Sequence, residues 1–274
     1  MRRRFLAPLL LLCVAFAPPA GPAEPTRLWP NGSFGTGEVI RYKVHYGIIN
    51  AGEAVIETSN ALERVADRPC YRATVSGRTQ GSFDFFMHVR DQWRAYIDTA
   101  SILPLRSSRD IAEGTYRKKE VVDFDHEHDV VNVLQTHTKD PIRYTFKVPN
   151  NVQELVSGFY FLRTLNYDHM KPGEVIHVGG FFDEGTFNLE VVYKGRELVE
   201  TKAGLIHAIK LVPRMPKNRI FRGEDAIKVY FSDDRNKIPV LFQAEMVVGS
   251  VKVDMYKAEG LKARLNVARP AAAE

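Results

Sequence analysis

His126 and His128 stand two residues apart within Asp125-His126-Glu127-His128-Asp129, so on an extended strand both imidazoles would face one side with carboxylates beside them. Nitrogen and oxygen donors of this kind suit zinc, and His137, across the next hairpin, is the third ligand such a site would use. The same residues fall between Val121-Val122-Asp123-Phe124 and Val130-Val131-Asn132-Val133, where a polar, solvated turn is expected, and they lack the helical H-E-x-x-H spacing. Arg163 is the second chemically suggestive residue. A helix over 152–165 would carry Val152, Leu155, Val156, Phe159 and Leu162 on one stripe, with Arg163 projecting near its middle. A charge there needs a partner. It is met either by an ion pair with a strand Asp or Glu, or by the carboxylate or phosphate of a lipid-like ligand, with Val156, Phe159 and Leu162 on the pocket wall.

Other reactive residue types have simpler readings. Cys70 begins a strand after Arg68-Pro69 with no His or Asn near it in sequence, which fits a buried thiol better than a nucleophile. His207 alternates with Leu205 and Ile209 and reads as an inward-facing histidine. Asp233-Asp234, beside Arg235-Asn236, reads as a turn rather than an acid–base pair. No G-x-S-x-G elbow, Walker A, dinucleotide fingerprint or C-x-x-C pair occurs, so no cofactor is implied and an enzyme reading has little support. Arg214 to Arg222, a basic loop containing Phe221, would suit the head groups of anionic lipid if it lay beside a pocket mouth.

The elements that must position these residues are mostly strands. From Glu38 to Tyr256, short alternating runs rich in Val, Ile, Phe and Tyr are broken by turn residues at roughly 8 to 12 residue intervals, as in a sandwich or barrel. Expected turns include Asn50-Ala51-Gly52, Glu113-Gly114, Asp183-Glu184-Gly185, Lys194-Gly195 and Lys202-Ala203-Gly204. The main helix candidate opens at Asn151, with Glu154 three residues on as a capping-box partner, and stops before Pro172-Gly173.

Arg2-Arg3-Arg4, an apolar run from Phe5 to Phe16 and Gly21-Pro22-Ala23 form a secretory signal, too short for the ~20 residues of a membrane span. Its removal would leave 251 residues and lower the net charge from +5 to +2, which gives no basic footprint for nucleic acid. The division that follows is a signal over residues 1–23, a flexible lead-in over 24–35, one β-rich domain over 36–258 and a flexible tail over 259–274. The mature chain is then expected in the periplasm, without a transmembrane span but open to peripheral membrane contact.

Several segments carry a family resemblance: Gly37 to Ala54, Arg90-Asp91, Phe124 to Glu127, Leu155 to Leu165 and Phe231-Ser232-Asp233-Asp234. Together they resemble the exported bacterial family of domain of unknown function 3108, which implies a compartment and a fold type but no reaction. The expected fold is mainly β, an antiparallel curved sheet forming a barrel or half-barrel, with one long helix packed on or in its concave face. In outline this is similar to periplasmic lipoprotein carriers. The expected function is non-enzymatic binding of an apolar or amphiphilic ligand in the barrel cavity, with Arg163 as polar anchor. Two alternatives stand beside it: an envelope module with a filled core that contacts a protein or glycan, and a metal-dependent enzyme using His126 and His128.

Overall fold

The computed structural model describes residues 27–214 and 221–268; the expected signal segment and most of the basic loop lie outside them. Within these residues the chain forms fifteen strands in one antiparallel sheet and two helices. The first half holds β1 (Val39–Tyr46), β2 (Ile49–Thr58), β3 (Glu63–Val65), β4 (Arg68–Thr79), α1 (Gly81–Phe86), β5 (Arg90–Asp98), β6 (Pro104–Glu113), β7 (Tyr116–Asp125), β8 (Val130–Gln135) and β9 (Ile142–Lys147). After α2 (Leu155–Thr164) come β10 (Val175–Phe182), β11 (Gly185–Thr201), β12 (Gly204–Pro213), β13 (Ile227–Ser232), β14 (Pro239–Glu245) and β15 (Ser250–Glu259). Hairpins join sequence neighbours almost everywhere. Three places depart from this: β2 lies beside β4, with β3 paired only to β4; β9 and β10 do not pair; and β15 pairs with β1 and so fuses the two halves into one sheet with β10 and β9 at its edges.

The sheet is not closed by backbone pairing, yet its edges meet through side chains. The β10–β11 turn carries Asp183, whose carboxylate accepts from Arg109 Nη2 at 2.8 Å on β6 and from Lys118 Nζ at 2.6 Å on β7. Gln135 on β8 donates to Glu184 at 2.7 Å, and Trp93 on β5 stacks on Phe182 with ring centroids 5.8 Å apart. Gln153, just before α2, bridges to Gly180 of β10. The main core then forms between α2 and the sheet face bearing Ala73, Ala95, Ile97, Val191, Ile209, Leu211, Val229 and Phe231.

Several expected boundaries move, each for a local reason. The first turn is Gly47-Ile48, not Asn50 to Gly52, because Gly52 is a strand residue whose backbone lies so close to β4 that a Cβ would meet Arg78 O at 2.1 Å. Lys194-Gly195 is a bulge inside the 17-residue β11, where Gly195 takes φ 99° and the register shifts between Tyr193 and Arg196. The helix is 10 residues, shorter than the expected 152–165, and a second, six-residue helix follows β4. The lead-in is tied down: Phe34 is fully buried, Trp29 Nε1 donates to Thr164 at 2.8 Å and Ser33 Oγ to Arg163 O at 2.7 Å. The tail is held as far as Ala268, whose N–H donates to Leu205 O at 2.7 Å. Composition alone missed both, because their partners lie far away in sequence.

Candidate functional site

The site is built around α2. Asn151 sits at φ 57° outside the helix, and Glu154 is the N-cap: its carboxylate accepts from the Val156 and Ser157 N–H groups, while Ser157 Oγ accepts from the Glu154 N–H. Burial pushes the Glu154 carboxyl up to about 7, against the opposing pull of those N–H donors. Val156, Tyr160, Phe161, Leu162 and Arg163 are buried, whereas Leu155 and Phe159 remain 36% and 38% exposed. One edge of the helix is therefore only partly covered by the sheet.

Along that edge lies a cavity of about 320 Å³. Leu155, Val156 and Phe159 form its helix wall, and Ala54, Ile56, Val75, Trp93, Leu241 and Val253 form much of its sheet wall. A second cleft of about 60 Å³ lies across Phe159, where Leu162, Val178, Phe187 and Leu211 are among the lining residues. Tyr42, Tyr160 and Arg163 bring polar groups to the cavity wall. Tyr42 OH donates to Pro239 O at 2.7 Å, and the Tyr160 hydroxyl is buried beside Arg163 without a hydrogen-bond partner.

Arg163 is only 1% exposed, as is Glu38, and the two are joined by a bidentate pair at 2.6 and 2.7 Å. Its Nε and Nη2 also donate to Asn236 O at 3.1 and 3.0 Å, and its guanidinium lies 5.3 Å from the Phe34 ring centroid and 5.0 Å from that of Tyr160. The ion-pair alternative for Arg163 is the observed one. Its charge is consumed by Glu38, so it closes one end of the cavity and offers no free anchor.

Of the other expected ligand contacts, Val156 and Phe159 line the larger cavity and Leu162 the smaller cleft. Phe221 lines neither; it bridges to Met246 at the end of β14 and packs on the edge of the main core. Sequence reasoning missed Glu38, Tyr42, Ala54, Ile56, Trp93 and Val253. The alternation of β1, β2, β5 and β15 could have flagged the apolar ones, but nothing local marks Glu38.

The three histidines do not converge. His126 lies beyond the end of β7, where strand alternation no longer holds, and its Nε2 meets Pro104 O at 2.7 Å while its ring stacks on Phe124. His128 points to solvent and pairs with Asp125 at 2.8 Å, and His137 is exposed. No metal-ligating cluster of three His, Cys, Asp or Glu exists among the described residues. His207 is exposed, with Ile206 and Ala208 inward, because β12 has the opposite phase to that expected. Cys70 is buried, and burial raises its thiol to about 11. Asp233 and Asp234 form a turn, with Asp234 accepting the Asn236 N–H at 2.8 Å.

Comparison with solved structures shows the same barrel-like fold elsewhere. The chain is similar to a β-barrel-like protein of domain of unknown function DUF1849 from Brucella abortus, with a TM-score of 0.54 and 11% identity, covering 82% of this chain and 98% of that one. A protein with a YmcC-like fold from Bacteroides fragilis matches at a TM-score of 0.34 and 10% identity, over 85% of this chain and 98% of that one. No functionally curated protein matches the chain. The model of the family described as "Protein of unknown function (DUF3108)" matches residues 41–256, and the chain belongs to that family.

Proposed function

We propose that this protein is an exported, periplasmic carrier or sensor that holds the hydrocarbon chain of an amphiphile between α2 and the curved sheet. The observation that carries the reading is the apolar cavity of about 320 Å³ along the Leu155–Phe159 edge. A volume of this order falls in the range of small-molecule pockets, roughly 300 to 1,000 Å³. With ~30 Å³ per water-sized group, it has room for on the order of ten carbons.

The lining favours the apolar part of such a ligand. Arg163 is committed to Glu38 and Asn236, and Tyr42 to Pro239, so a carboxylate or phosphate inside would meet no free cation and only the buried Tyr160 hydroxyl in place of its water. A hydrocarbon chain meets no such cost, and each buried methylene contributes about 0.8 kcal/mol. The chain enters tail-first, and the polar head stays at the Leu155 end. The cavity counts against a filled-core interaction module, and the separation of His126, His128 and His137 counts against a metal enzyme.

The test is native mass spectrometry of the protein purified from its own periplasm, with organic extraction of the same sample. The expected result is a bound single-chain amphiphile that is lost in Ala54→Phe, whose ring would occupy the cavity. Wild-type protein that carries no amphiphile, and takes up no fluorescent fatty acid when offered one, overturns the proposal.

A further inference from the structure

Five helix residues line the larger cavity: Leu155, Val156, Phe159, Tyr160 and Arg163. Their spacing, i, i+1, i+4, i+5 and i+8, places them on one stripe of α2, so the cavity follows the helix axis. Exposure falls along the stripe, from 36% and 38% at Leu155 and Phe159 to 2% and 1% at Tyr160 and Arg163. Tyr160 therefore stands toward the closed end, five residues and ~7.5 Å of helix beyond Leu155.

At that end one donor has no acceptor. Arg163 donates to both Glu38 oxygens and to Asn236 O, and Tyr42 OH donates to Pro239 O. The Tyr160 hydroxyl is buried and has no hydrogen-bond partner. Arg163, whose guanidinium lies 5.0 Å from the Tyr160 ring centroid, bears donors alone and offers nothing to the phenolic proton. Burial, reinforced by the Glu38 carboxylate, holds the phenol well above its ordinary pKa, so the group keeps that proton.

Buried donors are rarely left without an acceptor, because the group has given up water and received nothing in exchange. The side chains across the cavity, among them Ala54, Ile56, Val75, Leu241 and Val253, are hydrocarbon and supply no oxygen. The acceptor is then a group of the molecule that fills the cavity. A carboxylate could take the proton, but its charge would lie in an apolar wall beside a guanidinium already neutralised by Glu38. An uncharged oxygen accepts the same hydrogen bond without that penalty.

We propose that Tyr160 determines specificity: the ligand is an acyl chain interrupted, in the half nearest its methyl end, by one uncharged oxygen such as a keto or hydroxyl group, to which the phenol donates. The inference rests on the carrier reading and names its substrate class. The test is titration calorimetry of the protein, stripped of bound amphiphile, with dodecanoic acid and with two oxododecanoic acids, one bearing its keto group near the carboxylate and one near the methyl end. The two keto acids have the same composition, so their affinity ratio reports where the oxygen is received. Wild type should bind the distal isomer about threefold or more tighter than the proximal one, the worth of one net hydrogen bond. Tyr160→Phe should shift that ratio by about tenfold or more against the distal isomer, whose carbonyl is then buried without a donor. The carbonyl stretch of the bound distal isomer should also rise in frequency in the variant. Because the hydroxyl bonds to nothing in the fold, the variant without ligand should melt no lower than wild type. The wild-type ratio stands as a test even if the variant folds poorly. Wild type that binds dodecanoic acid but rejects the distal isomer, as it would if a tightly held water already satisfied the phenol, removes this inference and leaves the carrier reading standing. A ratio unchanged in Tyr160→Phe also overturns it, and moves the polar contact to Trp93, another donor-bearing residue of this wall. Wild type that binds none of the three acids removes both proposals.

Discussion

Arg163 and Glu38 form a fully buried pair, and removing either partner strands the other charge in the core. Arg163→Ala should therefore destabilise the fold by about 3–5 kcal/mol in urea denaturation, whereas replacing both residues with apolar ones of similar volume should recover most of that loss. The double variant bears on function too: it should still take up an amphiphile, because the guanidinium is already bonded to Glu38 and Asn236 and gives the ligand no hydrogen bond. Half of this arrangement was legible. The helical phase put Arg163 among apolar neighbours and demanded a partner, but Glu38 lies 125 positions away and is brought in only by the rolled sheet. Glu154 supports a second residue-scale prediction. Its carboxyl is held at about 7 in the fold against an ordinary 4.5, so between these values the folded state keeps a proton that the unfolded state has lost. Stability from this group is complete below pH 4.5 and declines as pH rises to about 7, by up to about 3 kcal/mol. Urea midpoints measured across that range should fall less steeply in Glu154→Gln than in wild type.

At the scale of elements, what joins the two edges of the sheet is a cluster of side chains rather than a ladder of backbone bonds. Arg109 connects β6 to Glu120 on β7 and to Asp183 on the β10–β11 turn, and its guanidinium lies 4.9 Å from the Phe182 ring centroid. Lys118 and Arg109 together hold the Asp183 carboxyl below the usual range, so the join is intact near neutral pH and weakens as acid protonates Asp183. Asp183→Asn should loosen this seam locally, with faster amide exchange at Gln153 and Phe181, whose N–H groups bond across it, and little change in β1 or β15. Exchange unchanged at those two amides would mean that the aromatic stack alone holds the edges. Sequence foresaw the strands here, since alternation marks β7 and β8 well, and it foresaw the Asp183-Glu184 turn. It could not foresee that the turn reaches β6 to β8, because pairing across a rolled sheet leaves no trace in local periodicity. The same reason explains the bound lead-in and tail: Trp29 to Phe34 and Leu265 to Ala268 read as loose segments until the surfaces they cover have been formed.

For the whole molecule, the decisive quantity is the space between α2 and the sheet. A chain of this length can fill its core, so apolar volume left open beside a partly exposed helix edge costs stability that a ligand would restore. Binding to the folded state alone raises stability by about 2.7 kcal/mol when free ligand is a hundred times its dissociation constant. For a domain of roughly this size, that corresponds to a rise in Tm on the order of 5–10 °C. A saturated fatty acid of about ten to twelve carbons should produce this shift, and chain length should matter more than head group, since the head lies outside the apolar lining. Methyl ester and free acid of equal length should therefore raise Tm by similar amounts, while shortening the chain to six carbons should abolish most of the effect. Ala54→Phe provides the control within the same fold. If its ring fills the cavity, the variant should melt no lower than wild type without ligand and gain nothing when ligand is added. A variant that keeps the full ligand-induced shift would move the binding site away from α2, to the polar groove of about 640 Å³ on the opposite sheet face between Arg41, Arg78 and Asp110. A head-group dependence that outweighs chain length would point the same way, because that groove, unlike the cavity beside α2, presents charges on its walls.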